Sequence, residues 1–188
     1  HPKGMVVYNE LEAVRRRENL RRGYLEVKTP LIYDKALWVT SGHWEKFREN
    51  MFLIPGDTEE QTYGIKPMNC PGHMLLYASQ LRSYRDLPIR YAEAAPLHRN
   101  ELAGTLHGLT RVRYVTQDDA HIFCTEEQVP EEIDRVIAYV TYLYGLFGME
   151  PHAELSTRPE NRLGTDEQWD RAEAALEDAL RSHGMEYA

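Results

Sequence analysis

The run from Arg111 to Phe123 alternates between two chemically different sets of side chains, as a β-strand does. One face of this strand would carry Arg111, Arg113, Val115, Gln117, Asp119 and His121. The other face would carry the mostly apolar set Val112, Tyr114, Thr116, Asp118, Ala120 and Ile122. A charged row on a core strand is costly unless it borders a wet cleft or a ligand. The pattern therefore predicts a site on the odd-numbered face, with the even-numbered face toward the core.

Apolar spacing predicts the other elements. Helices are expected over 6–22, within 35–49, after Pro71, over 126–147 and over 165–183. Strands are expected over 24–28, 51–54, 63–66, 89–94, 97–101 and 153–156. Pro96 predicts a break or a bulge between two of these strands. Because residues 89–123 read as one long hairpin, the fold class is predicted to be α+β with a largely antiparallel sheet.

Composition narrows the class of protein. A chain of 188 residues with 42% apolar residues suits a single domain spanning 1–188. No apolar run approaches membrane-spanning length, so a cytoplasmic location without membrane contact is expected. The net charge of −8 argues against binding nucleic acid by electrostatics alone. A basic cluster is predicted to be a solvated helix surface: Arg15, Arg16, Arg17, Arg21 and Arg22.

Arginines converge on the predicted hairpin. Arg99 and Glu101 share one face of the first strand, and Arg111 and Arg113 share one face of the second. Because arginine presents a fork that matches phosphate oxygens, the set suits a polyanion, most simply a nucleoside triphosphate. The alternative is a surface salt bridge between arginine and Glu101.

Two cysteines give no disulfide framework and are better read as thiols or metal ligands. Cys70 is expected to open a helix, where the thiolate is favoured. By spacing alone, Cys70, His73, His121 and Cys124 could form a closed structural zinc site. Strand parity instead favours Cys70 and His121 as ligands and makes Cys124 a buried apolar residue. A further alternative is that both cysteines are core residues.

Three motifs carry a family resemblance. They are Lys66-Pro67-Met68-Asn69-Cys70-Pro71-Gly72-His73, Leu106-His107-Gly108-Leu109 and Gln117-Asp118-Asp119-Ala120-His121. Together they resemble the catalytic core of the threonyl-tRNA synthetases, which are class II aminoacyl-tRNA synthetases. The likeness runs from Pro2 to the Trp169-Asp170-Arg171-Ala172 stretch. The third class II motif has no counterpart before Ala188, so the chain is expected to be a partial catalytic domain cut from a longer protein.

The resemblance implies a nucleotide site on the hairpin. Arg99 would act in catalysis by gripping the ATP α-phosphate and the amino-acid carboxylate. Glu101 would read the adenine amino group, and Arg111 would bind the nucleotide, while Mg²⁺ would help neutralise the triphosphate. The unit ending at Pro30 would be the first class II motif, which forms the homodimer interface in that family.

The resemblance also implies a site for L-threonine. Gln117 and Asp119 would orient the adenylate and the amino acid, and Met68 would line the pocket. Cys70 and His121 would be two of three protein ligands of one zinc ion, the third being a histidine in the part not matched here. A zinc ion with an open position can bind the amino and hydroxyl groups of threonine, whereas an apolar pocket discriminates poorly against isosteric valine.

The function expected from the resemblance is threonine–tRNA ligase activity in translation. Threonine would be activated with ATP to threonyl-adenylate, releasing pyrophosphate, and then transferred to tRNA(Thr), which other regions would mainly hold. The alternative is a catalytically incomplete fragment or paralogue that serves as a threonine- or ATP-binding module or as a dimerisation module.

Overall fold

The computed structural model describes residues 1–58 and 60–188, which form six α-helices and six strands. The helices are α1 (Pro2–Arg21), α2 (Lys35–Thr40), α3 (His43–Phe47), α4 (Cys70–Ala78), α5 (Val129–Leu146) and α6 (Asp166–Ser182). The strands are β1 (Leu25–Glu26), β2 (Ile32–Asp34), β3 (Leu53–Pro55), β4 (Thr62–Ile65), β5 (Ile89–His98) and β6 (Tyr114–Phe123). The α+β class is confirmed. By backbone contacts, residues His1–Phe123 and Cys124–Ala188 form two compact units.

The first unit contains two three-stranded sheets. One has the order β1-β5-β6, with β1 parallel to β5 and β5 antiparallel to β6. The β5–β6 pairing runs from Ile89 opposite Phe123 to His98 opposite Tyr114, so the predicted hairpin is present. The other sheet has the order β2-β4-β3 and is antiparallel throughout. Strand β2, only three residues long after Pro30, was not predicted.

Strand β5 passes through Pro96 without the predicted break. The backbone N–H and C=O groups of the even-numbered β5 residues point away from β6. Two hydrogen bonds on that other side show this: Val27 N donates to Ala92 O, and His98 N donates to Lys66 O. Proline has no N–H to donate. Because the backbone nitrogen of Pro96 points away from β6, its missing N–H costs no hydrogen bond between β5 and β6. The ladder between β5 and β6 therefore continues past Pro96, and the prediction of two strands is wrong.

The two faces of β6 are buried in the opposite sense to the prediction. Tyr114, Asp118 and Ala120 are exposed, whereas the odd-numbered side chains from Val115 to His121 are half-buried. The odd-numbered face is shared with the buried β5 residues Tyr91, Glu93, Ala95 and Leu97. Within the described residues β6 is also an edge strand rather than a core strand. The prediction that the even-numbered face is turned toward the core is therefore wrong, and the polar odd-numbered row is the more covered of the two.

Helix α1 ends as the sequence predicts, because Gly23 has a left-handed φ of 77° just beyond it. Its basic cluster is not entirely a solvated surface. Arg15 is only 8% exposed. Its Nη2 donates to Glu12 Oε2 and to Glu26 Oε1, each at 2.9 Å. Glu18 is also buried and pairs with Arg22 Nη1 at 2.6 Å. The Arg15–Glu26 contact links α1 to β1.

In the second unit, one capping box opens the turn before α5 and another opens α6. Thr125 and Gln128 cap the single 3-10 turn that leads into α5, and Thr165 and Gln168 cap α6. The strand predicted over 153–156 is reduced to one bridge, between Ala153 and Tyr187. None of the described helices is both long and apolar enough to cross a membrane.

Candidate active site

The segment Lys66–His73, called here the 66–73 segment, covers the odd-numbered face of the hairpin. It connects β4 to α4. Its contacts begin near the loop that joins β5 to β6 and continue along the hairpin away from that loop. Three side-chain contacts fasten it there: Arg99 Nε donates to Pro67 O (3.3 Å), Asn69 Nδ2 donates to Asp119 Oδ2 (3.1 Å), and His73 Nδ1 lies 2.8 Å from His121 Nδ1. The structure thus brings residues separated by 32 to 50 positions in the chain into one site.

The first turn of α4 brings Cys70 to this site. Pro71 occupies an early helical position, where a missing N–H leaves no helical bond unmade. Gly72 packs so closely against the neighbouring chain that a Cβ atom there would lie 2.4 Å from Tyr33 Oη and 3.0 Å from Thr29 Cβ. Glycine is therefore what allows α4 to approach the segment that follows β1.

A buried ion cluster lies under the 66–73 segment. Lys66 Nζ is 3.0 Å from Glu93 Oε1 and donates to Thr29 Oγ1 at 2.8 Å. Thr29 N and Oγ1 donate to the two carboxylate oxygens of Glu93, and His73 Nε2 lies 3.0 Å from Glu93 Oε2. Burial alone would raise the pKa of Glu93, but the hydrogen bonds from His73, Thr29 and Lys66 outweigh it and hold that pKa at about 2. Glu93 is therefore ionised and balanced by Lys66.

The charge of Asp119 acts on the pKa of both Cys70 and His121. Burial and the Asp119 charge raise the pKa of the Cys70 thiol, so the expected preference for the thiolate at a helix start is not found. Burial lowers the pKa of His121, although Asp119 opposes this shift. A thiol and a neutral imidazole beside a carboxylate suit a cation that prefers sulfur and nitrogen ligands.

The four-ligand structural zinc site is wrong. Across the described ranges 1–58 and 60–188, no three His, Cys, Asp or Glu side chains are grouped closely enough to hold a metal ion. Both ring nitrogens of His73 already lie at hydrogen-bonding distance from Glu93 and His121. Cys124 is half-buried and follows the end of β6, so the parity that predicted its burial does not extend to it.

At the loop end of the hairpin, Arg111 and Glu101 form an ion pair. Arg111 Nη2 lies 3.0 Å from Glu101 Oε2, and Arg113 Nε donates to Glu101 O at 3.0 Å. Arg111 is exposed and lies outside β6, since the strand begins at Tyr114. The salt bridge considered as the alternative is therefore present for this pair. Arg99 is half-buried beside it, just beyond the end of β5.

The remaining predicted residues lie nearby. Gln117 is half-buried on β6 opposite Ala95, and Met68 is half-buried within the 66–73 segment. Sequence reasoning missed Glu93 and the contact of Asn69. Glu93 could have been noticed as a lone acid between alanines in an apolar strand, whereas the Asn69–Asp119 bond joins positions 50 apart and leaves no local signal.

Comparison with known proteins identifies the class. Residues 48–179 match the family described as tRNA synthetase class II core domain (G, H, P, S and T), and the chain belongs to this family. The match includes the 66–73 segment, the hairpin and most of the second unit.

More particular similarity is to threonine–tRNA ligases. The chain is 56% identical over 187 residues to the threonine–tRNA ligase of Caldanaerobacter subterraneus subsp. tengcongensis, covering 100% of this chain and 29% of the relative. It is 54% identical to a probable cytoplasmic threonine–tRNA ligase of Dictyostelium discoideum, covering 97% of this chain and 26% of the relative. A crystal structure titled as the RNA binding domain of threonyl-tRNA synthetase from Cryptosporidium parvum Iowa II superposes with a TM-score of 0.92 at 48% identity, covering 100% of this chain and 46% of that one. The chain thus spans under a third of the curated relatives it matches.

Proposed function

We propose that this chain is part of the aminoacylation core of a threonine–tRNA ligase, which activates L-threonine with ATP and transfers it to tRNA(Thr). The observation that carries the proposal is the three-point attachment of the 66–73 segment to the hairpin. That attachment gathers an arginine, a carboxylate, a thiol and an imidazole on one face. The similarity to threonine–tRNA ligases over the whole chain supports the choice of amino acid.

Arg99 is proposed as the residue that acts on the α-phosphate. Its bond to Pro67 O uses Nε, so the fork of terminal nitrogens is not used by that bond. As the threonine carboxylate attacks the α-phosphorus and pyrophosphate leaves, a fixed guanidinium would stabilise the charge that develops. Glu101 would accept from the adenine amino group and Arg111 would bind the nucleotide, which requires their ion pair to loosen. Mg²⁺ is proposed to accompany ATP.

Cys70 and His121 are proposed to hold a zinc ion, with a third ligand from a part of the protein that the longer relatives have. When bound, the ion would supply an open coordination position for the amino and hydroxyl groups of threonine. Asp119, held by Asn69, would orient the amino group by charge, and Gln117 would orient the adenylate. Met68 would border the pocket.

Other properties of the complete protein are proposed from the family and its relatives. The chain would be one partial catalytic domain, the protein would form a homodimer, and it would act in the cytoplasm, as the name of the Dictyostelium relative states for that protein. Because this chain carries a net charge of −8, most of the grip on tRNA(Thr) would come from other regions.

The test is threonine-dependent ATP–pyrophosphate exchange in the complete protein. Arg99→Ala is expected to lower kcat by about 100-fold or more, the scale on which lost charge stabilisation acts. The matched control is Arg85→Ala, because Arg85 is exposed and lies outside the site. Normal exchange by a folded Arg99→Ala protein would refute the role given to Arg99.

A second function is a threonine- or ATP-binding module that does not complete catalysis. The observation favouring it is that no three His, Cys, Asp or Glu side chains among the described residues are grouped closely enough to hold a metal ion. Exchange by the 188-residue chain alone would exclude this function.

A further inference from the structure

His73 is enclosed between Glu93 and His121. Its side chain is 0% exposed, and each ring nitrogen has one partner: Nε2 lies 3.0 Å from Glu93 Oε2, and Nδ1 lies 2.8 Å from His121 Nδ1. The two imidazole rings meet edge to face, with centroids 4.7 Å apart and planes at 85°. The proposed function assigns His73 no part, although it connects the buried ion cluster to a proposed metal ligand.

The donor and acceptor in both His73 hydrogen bonds follow from the Glu93 carboxylate, which can only accept. An ionised carboxylate only accepts, so the proton between His73 and Glu93 belongs to His73 Nε2. Glu93 is already balanced by Lys66 at 3.0 Å, and a second cation on the fully enclosed His73 would have no further carboxylate in this cluster. A neutral imidazole carries one proton, so His73 Nδ1 is an acceptor. The donor in the 2.8 Å contact is then Nδ1–H of His121.

We propose that Glu93 and His73 are positioning residues that hold His121 in the tautomer with its proton on Nδ1, so that Nε2 presents its lone pair to a metal cation. The assignment of the cation as zinc rests on the proposed function, whereas the tautomer rests on the chain of hydrogen bonds. A histidine that ligates a metal through one nitrogen commonly donates its other N–H to a fixed acceptor, which orients the ring. In this protein the acceptor would be a second histidine, itself fixed by a buried carboxylate.

Zinc affinity of the complete protein, measured by competition with a chromophoric chelator, provides the first test. His73→Leu removes the acceptor and is expected to weaken zinc binding by about 10- to 100-fold. His73→Asn places an amide oxygen near the position of Nδ1 and is expected to restore most of the affinity. The matched control is Tyr91→Phe, because Tyr91 packs edge to face on His73 but its hydroxyl bonds to Arg82 instead. A folded His73→Leu protein with the wild-type affinity would overturn the proposal.

A second measurement needs no variant. Solid-state NMR of metal-free protein with ¹⁵N-labelled histidine identifies a close imidazole pair by nitrogen–nitrogen contact. The expected pair is two neutral rings, assigned to their residues through the backbone neighbours, with His121 protonated at Nδ1 and His73 protonated at Nε2. A doubly protonated ring in that pair, or the reverse assignment of the two tautomers, would overturn the proposal. If the complete wild-type protein binds no zinc, the metal part of the proposed function fails, and the NMR result still decides the tautomer.

Discussion

At the scale of single residues, Gly72 sets how closely α4 approaches the segment after β1. Gly72→Ala would place a Cβ atom 2.4 Å from Tyr33 Oη and against Thr29, so these side chains or α4 must shift. We expect a loss of about 1–3 kcal/mol of stability, typical of overpacking in a well-packed region. The measurement is the thermal midpoint of the complete protein. Gly104→Ala is the control, because nothing lies within 4 Å of a Cβ atom there, and an equal loss in both variants would contradict the explanation.

The two cysteines provide a second prediction at this scale. Cys70 lies beside Asp119 at the site, whereas Cys124 lies beyond β6. Cys70→Ala is therefore expected to release zinc from the complete protein, leaving less than about a tenth of the wild-type content, as expected when one of three protein ligands is lost. Cys124→Ala should retain the metal. Elemental analysis after gel filtration measures both, and equal loss from both variants would contradict the different roles given to the two cysteines.

At the scale of elements, the Lys66–Glu93 pair joins the end of β4 to the middle of β5. Both side chains are 2% exposed, and Thr29 connects them to the segment after β1. Lys66→Met would leave the Glu93 carboxylate without its balancing cation. Loss of one partner from a buried pair costs about 3–5 kcal/mol, which would lower the midpoint of this domain's calorimetric transition by roughly 6–20 °C. Lys28→Met is the matched control, because Lys28 is exposed. Equal midpoints in the two variants would show that Glu93 does not depend on Lys66.

Elements with a local cause could be predicted from sequence, and elements with a distant cause could not. α1 and its end at Gly23, the capped α6 and the β5–β6 hairpin follow from spacing, a left-handed glycine and turn residues. The continuity of β5 through Pro96 depends on which way its backbone faces, which only the pairing with β6 reveals. Likewise, the odd-numbered face of β6 is covered because the 66–73 segment folds over it. The alternation of polar and apolar residues along β6 does not indicate this contact.

The candidate site shows the same division. Cys70, His121, Arg99 and Asp119 were found from residue type and motif, and the structure brings them to one face. Their supporting contacts were not found, because Glu93 and Asn69 act through partners 20 and 50 positions away. Long-range hydrogen bonds determine these roles. A single sequence shows which residues could form hydrogen bonds but not which of them pair.

At the scale of the whole molecule, the chain exposes apolar residues that a complete protein would be expected to cover. The α1 patch, defined here as Met5, Val6, Val7, Tyr8 and Leu11, is between 44% and 64% exposed. Four of these residues are consecutive, so they surround a full turn of the helix. A contiguous apolar surface of this kind marks an interaction site more often than a solvated face. Because a homodimer is proposed for the complete protein, a second copy of the protein is the proposed occupant of this patch.

Charge inserted into the α1 patch should therefore separate the subunits. Val7→Glu with Leu11→Glu lies on one face of α1, four residues apart. In a twofold dimer each substitution occurs twice in the interface, so we expect the dissociation constant of the complete protein to rise by about 100-fold or more. Sedimentation velocity over a range of concentrations measures it. Leu81→Glu is the control, because Leu81 is fully exposed and lies outside α1. If the double variant dimerises as tightly as this control, the α1 patch lies outside the dimer interface, since an interface between copies cannot bury four added carboxylates without weakening.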